Sequence, residues 1–65
     1  MNDIYNKFMR RFKCVSAEKR LGYEQIAEIM NVHPNTVRNW FAGRSKMDGE
    51  AVLRCISLIM GGYNL

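Results

Sequence analysis

Residues 26–41, IAEIMNVHPNTVRNWF, decide how this chain folds. Ile26, Ile29 and Met30 recur at helical spacing and predict an inner face, with Ala27 small enough for a second helix to approach closely. Asn31 then stands where a helix that ends in a sharp turn needs a left-handed residue, a conformation asparagine adopts more readily than most. Pro34 marks the start of the next helix, because an amide hydrogen at the first helical position has no partner and proline loses nothing there. His33 falls at its cap, and this third helix is predicted to run to about Ala42 and stop at Gly43. A turn of three or four residues leaves no room to run back antiparallel. The two helices must therefore cross steeply, with Ile26, Met30, Val32, Val37 and Trp40 between them.

A helix beginning at Pro34 carries Asn35, Arg38, Asn39 and Ala42 on one face and Val37, Trp40 and Phe41 on the other. The first set suits base edges: Arg offers two donors to guanine O6 and N7, and Asn pairs likewise with adenine N6 and N7. Thr36, near the helix start, is placed to reach a phosphate or a thymine methyl. Arg44, Ser45 and Lys46 follow as phosphate contacts, and the amides from Tyr23 to Gln25 open an anion site at the N-terminus of the preceding helix. His33 reads as structural or phosphate-facing. Asparagine on a surface is often merely solvated. It is also a poor helix former, so two of them beside Arg38 on one exposed face are unfavourable unless something binds there.

The rest of the chain supplies two more helices and no strand alternation. Ile4, Phe8, Phe12 and Val15 form an apolar stripe over about Asp3 to Val15, capped by Asn2 or Asp3, while Ser16 to Gly22 either prolongs that helix or forms the connection. The second helix opens after Gly22, with Glu24 and Gln25 in its first turn. The fourth follows Asp48 as cap, with Val52, Ile56, Ile59 and Met60 as core stripe and Gly61-Gly62 as its end. The expectation is one all-α, four-helix domain over residues 1–65. Leu53 and Leu58 lie on other sides of the fourth helix; with Tyr63 and Leu65 they form the predicted interface of a homodimer, a natural supplement for a core this small.

Composition narrows the function. With 48% hydrophobic and 25% charged residues the chain is a folding one, and its net charge of +4 favours a polyanionic partner. No acidic residue occurs from Ile29 to Met47, a window that holds His33, Arg38, Arg44 and Lys46. Lys7, Arg10, Arg11, Lys13, Lys19 and Arg20 form a second basic cluster, which reads equally well as a solvated helix surface. Cys14 and Cys55 sit in apolar stretches without a CxxC spacing and are expected to be reduced, buried thiols of an intracellular, cytoplasmic protein. Two Cys and one His do not complete a zinc site, no signal peptide is apparent, and no segment is long enough to span a bilayer. Catalysis lacks candidates: there is one His, no paired carboxylates on a common face and no Gly-rich phosphate loop.

From Tyr23 to Ala42 the chain resembles the helix-turn-helix of the lambda repressor and Cro family, also called the XRE family. Ile26, Ala27, Met30, Val32, Val37 and Trp40 fall where that pattern takes apolar or small residues, and FAGRSK is similar to its usual ending of the recognition helix. Asn31 stands where the family usually has a turn glycine, and a full fifth helix, usual in the family, is not expected within these 65 residues. The resemblance implies a lambda-repressor-like domain whose third helix lies in the major groove of double-stranded DNA. It further implies a small transcriptional regulator of phage or mobile-element type, a repressor or autorepressor that binds a two-fold-related operator as a dimer, with no cofactor and no small-molecule effector. The alternative is a protein-interaction module of antitoxin or antirepressor type, which would carry exposed apolar residues where this chain has Asn35, Arg38 and Asn39.

Overall fold

Four helices account for most of residues 3–61, the part of the chain described by the computed structural model, and no strand occurs among them. They are α1 (Asp3–Glu18), α2 (Tyr23–Met30), α3 (Pro34–Ala42) and α4 (Gly49–Leu58). The side chains expected to cap α1, Asn2 or Asp3, lie outside the described ones, as do Gly62, Tyr63 and Leu65.

The open question at Ser16 to Gly22 resolves into one more turn of α1 and a left-handed stop at Arg20, φ 57°. Leu21 N–H donates to the Ser16 carbonyl at 2.9 Å and Arg20 N–H to that of Ala17 at 3.1 Å, so the reversal closes on the helix's own last carbonyls. An L-residue in this conformation costs about 1–2 kcal/mol, which the closure must offset. α1 buries Phe8, Met9, Phe12, Val15 and Ser16, with Tyr5 half-buried. Phe8, Phe12 and Val15 are buried as the stripe predicts, and only Ile4 departs from it: it is 70% exposed, and in the first turn Tyr5 rather than Ile4 turns inward and bonds the α3–α4 loop.

α2 presents Ile26, Ala27 and Met30 to the core. Ile29, expected on that face, is 39% exposed, since the arc centred on residues 26, 27 and 30 leaves it at the edge. α2 packs on both α3 and α4. In α4 the fully buried residue is Cys55; Val52 and Ile56 from the predicted stripe are only half-buried, while Ile59 and Met60, also buried, follow the helix rather than belonging to it. The helix stops at Leu58, before Gly61, whose φ of 66° takes the chain left-handed. One core cluster collects these residues with Val37, Trp40 and Met47. Each fully buried large side chain stabilises the fold by about 1.5–3 kcal/mol, a large share of what so small a domain possesses.

Three long-range hydrogen bonds tie helix ends together. The Arg54 guanidinium donates to the Met30 carbonyl at 3.3 Å, pairing a group at the C-terminus of α2 that the helix itself leaves without a partner. Lys19 Nζ donates to the Ile59 carbonyl, joining the ends of α1 and α4, and Met47 N–H donates to the Tyr5 hydroxyl at 3.0 Å. Ser16 Oγ is buried without a partner. No helix among the described residues is long and apolar enough to cross a membrane.

Both cysteines are free, but Cys14 is exposed, contrary to the expectation of two buried thiols: it lies off the buried arc of α1. Desolvation by burial pushes the Cys55 thiol up from 9.0 to about 12. The raised value means that its contribution to stability holds below pH 9.0 and is lost as pH climbs toward about 12. A thiol reagent at pH 8 is therefore expected to label one cysteine per native chain, Cys14, and the second only after denaturation. Rapid native labelling of both would contradict this packing.

Candidate nucleic-acid interface

The corner between α2 and α3 is built by two caps. Asn31 takes φ 59°, ψ 48°, and its N–H and that of Val32 both return to the Ala27 carbonyl, drawing half-buried Val32 back against the core. His33 then caps α3: its Nδ1 accepts from Asn35 N–H at 3.0 Å, and Pro34 occupies the first helical turn. Because Nδ1 is the acceptor, the neutral ring carries its proton on Nε2, so the outer edge of this exposed imidazole is a donor suited to a phosphate oxygen.

Val37 is 0% and Trp40 6% exposed, which fixes the roll of α3. Asn35, Arg38 and Ala42 are exposed on the opposite side, and Asn39 is half-buried beside them. Thr36 stands apart from this group. It is half-buried and lines a groove with Val32, Trp40, Ser45, Lys46 and Arg54, on the α4 side of the helix. At its other end α3 closes on left-handed Gly43, φ 78°, and the Asn39 carbonyl accepts from Arg44 N–H at 2.9 Å and Ser45 N–H at 3.4 Å. That closure folds exposed Arg44, Ser45 and Lys46 against the end of α3, and Lys46 Nζ lies 5.8 Å from the Tyr5 ring.

The start of α2 forms the opposite flank. Gln25 Oε1 accepts from Gly22 N–H at 2.7 Å, so the side-chain oxygen serves the helix start and the amide's two donors remain for an acceptor. Gly22, Tyr23, Glu24, Gln25 and Arg38 line one surface depression. Its character is mixed: the helix N-terminus and Arg38 favour an anion, and the exposed Glu24 carboxylate opposes one.

Two contributors were not visible in the linear pattern. The Arg38 guanidinium lies over the Tyr23 ring, 5.7 Å from its centroid; Tyr23 meets Phe41 edge to face at 5.2 Å; and Lys13 Nζ lies over the Phe41 ring at 5.9 Å. Phe41, expected at the back of α3, packs against the core there, and being only half-buried it also forms a bridge from Phe12, at 5.3 Å, to Tyr23. It brings Lys13 of α1 next to the flank defined by Tyr23. Lys13 belongs to the first basic cluster, but only a tertiary contact through Phe41 could single it out from its neighbours. No group of three or more His, Cys, Asp or Glu side chains able to hold a metal occurs among the described residues.

The His33 cap predicts that His33→Ala destabilises the fold by about 1 kcal/mol, while His33→Ser or His33→Asn keeps or raises stability. Urea unfolding of the three variants checks this, and an indifferent Ala variant would mean that the imidazole does not support the helix. Compared with models of protein families, with curated proteins and with solved structures, the chain matches none.

Proposed function

We propose that this chain is a small sequence-specific DNA-binding transcriptional regulator of the lambda repressor and Cro kind, most simply a dimeric repressor or autorepressor. One observation carries the reading: Asn35 and Arg38 are exposed, with Asn39 beside them, on a helix whose reverse side is sealed in the core. Side chains able to form two hydrogen bonds with purine edges therefore project from a rigid support, on a helix of a width the major groove admits. The donors beside them fit a backbone-positioning role. Tyr23 and Gln25 lie at the start of α2, His33 at the corner, and Arg44, Ser45 and Lys46 beyond α3, so candidate phosphate contacts flank the base-reading face on more than one side. Lys13 extends that set onto α1.

In this reading Asn35, Arg38 and Asn39 read bases directly, and Thr36 acts from the groove side, toward a phosphate or a thymine methyl. An outer face of amide and guanidinium groups favours nucleic acid over the protein-binding alternative, whose anchor residues would be apolar. Repression needs no chemistry beyond occupancy of an operator. Regulation then follows from protein concentration and the monomer–dimer equilibrium. Leu53 and Leu58, 69% and 54% exposed on α4, are the proposed dimer contacts; Tyr63 and Leu65, the other two, fall outside the described residues.

Two outcomes test the proposal. In fluorescence titrations on duplexes at several salt concentrations, Arg38→Ala is expected to relax discrimination at one base pair by about 1–3 kcal/mol. Lys46→Ala is expected to weaken all sequences alike and lower the salt slope by about one. Equal effects from the two variants, or binding indifferent to both sequence and salt, would defeat the reading. Separately, sedimentation is expected to show a dimer that Leu53→Asp converts to a folded monomer; an unchanged sedimentation coefficient would remove α4 from the interface.

A further inference from the structure

We infer that Tyr23 is a positioning residue for base recognition: beyond the phosphate contact expected of it, its ring holds the Arg38 guanidinium in the orientation from which it reads a guanine. This inference rests on the DNA-binding reading above.

Tyr23 opens α2 and Arg38 lies in α3, so the corner at Asn31–His33 sets their separation. The guanidinium carbon lies 5.7 Å from the ring centroid, within the range of a cation–π contact. The ring is braced from the core: its edge contact with Phe41 at 5.2 Å is continued by the contact of Phe41 with core Phe12 at 5.3 Å. A line of aromatic rings thus runs from the core to the one arginine on the outer face of α3. A guanidinium that stacks on a ring does so by its face and keeps its N–H donors along the edge. Held in this way, Arg38 keeps its donors for guanine O6 and N7 and gives up beforehand rotamer freedom that an exposed arginine would lose on binding. The hydroxyl of Tyr23 has no part in this. A phosphate contact, whether through the hydroxyl or through the backbone amide at the start of α2, would act equally on every DNA sequence and would not depend on the ring.

The two roles separate by substitution. Tyr23→Phe keeps the ring and removes the hydroxyl; Tyr23→Leu keeps an apolar side chain and removes the ring. For the preferred duplex against one altered at the Arg38-dependent base pair, Tyr23→Phe is expected to retain wild-type discrimination. Tyr23→Leu is expected to lose about threefold to fivefold of it, the size of an exposed cation–π contact. In the free protein, ring-current shifts displace the Arg38 side-chain protons upfield in wild type and Tyr23→Phe, and these return to ordinary values in Tyr23→Leu. Phe41→Leu, measured alongside with the unfolding transition of each variant, reports what loosened packing alone does. Discrimination unchanged in Tyr23→Leu, or Arg38 protons unshifted in wild type, would overturn the inference while leaving DNA recognition standing. A wild type that prefers no sequence would instead defeat the functional reading.

Discussion

The sealed reverse side of α3 is the constraint on which the rest depends. Val37 and Trp40 share one core cluster with Ile26, Ala27 and Met30 of α2, and only Asn31, Val32 and His33 separate the two helices. With Asn31 left-handed and Val32 drawn back onto α2, α3 has neither length of linker nor an alternative apolar face with which to roll. The outward display of Asn35 and Arg38 follows from what is buried behind them. Because protein cores are close-packed, a substitution at Val37 or Trp40 would move the outer face without touching it.

A domain of this size has little stability to spare, and helix ends are where it concentrates its polar bonds. Asn31, His33, Gly43 and Asp48 each close a terminus locally, while Arg54 and Lys19 reach across to the ends of α2 and α4. The Tyr5 hydroxyl anchors the loop that follows Lys46. These bonds give the loop from Gly43 to Asp48 a fixed course beside α3, so proposed phosphate-contacting groups stand at set positions rather than on a mobile tail. In the proposed function this matters for specificity, since backbone contacts fix the register in which the base contacts are made.

Most of the corner was legible because its signals are local and stereochemical. Pro34 can start a helix but not sit inside one, Asn31 accepts the left-handed region, and Gly43 ends α3 as glycine does elsewhere. The end of α1 was not, because Arg20 takes the left-handed position with no glycine to announce it, and Gly22 beside it marks a cap instead. The exposure of Ile4 was hidden for a different reason: Ile4 and Tyr5 both suit the first turn of an apolar stripe, and the position of Met47 N–H, bonded to the Tyr5 hydroxyl, favours Tyr5. The aromatic line from Phe12 through Phe41 to Tyr23, with Lys13 and Arg38 over its rings, joins three helices and leaves no periodic trace in the chain. Thr36 lies close in sequence to Asn35 and Arg38, yet a turn of 3.6 residues sends it to the groove side.

Base reading by the outer face of α3 can be measured by selecting bound duplexes from a random pool with the wild-type chain and with a variant bearing Asn35→Ala, Arg38→Ala and Asn39→Ala. The wild type is expected to converge on a two-fold-related sequence, and the folded triple variant to retain salt-sensitive binding without converging. A wild-type pool that stays random, or a triple variant that selects the same sequence, would contradict base reading by this face.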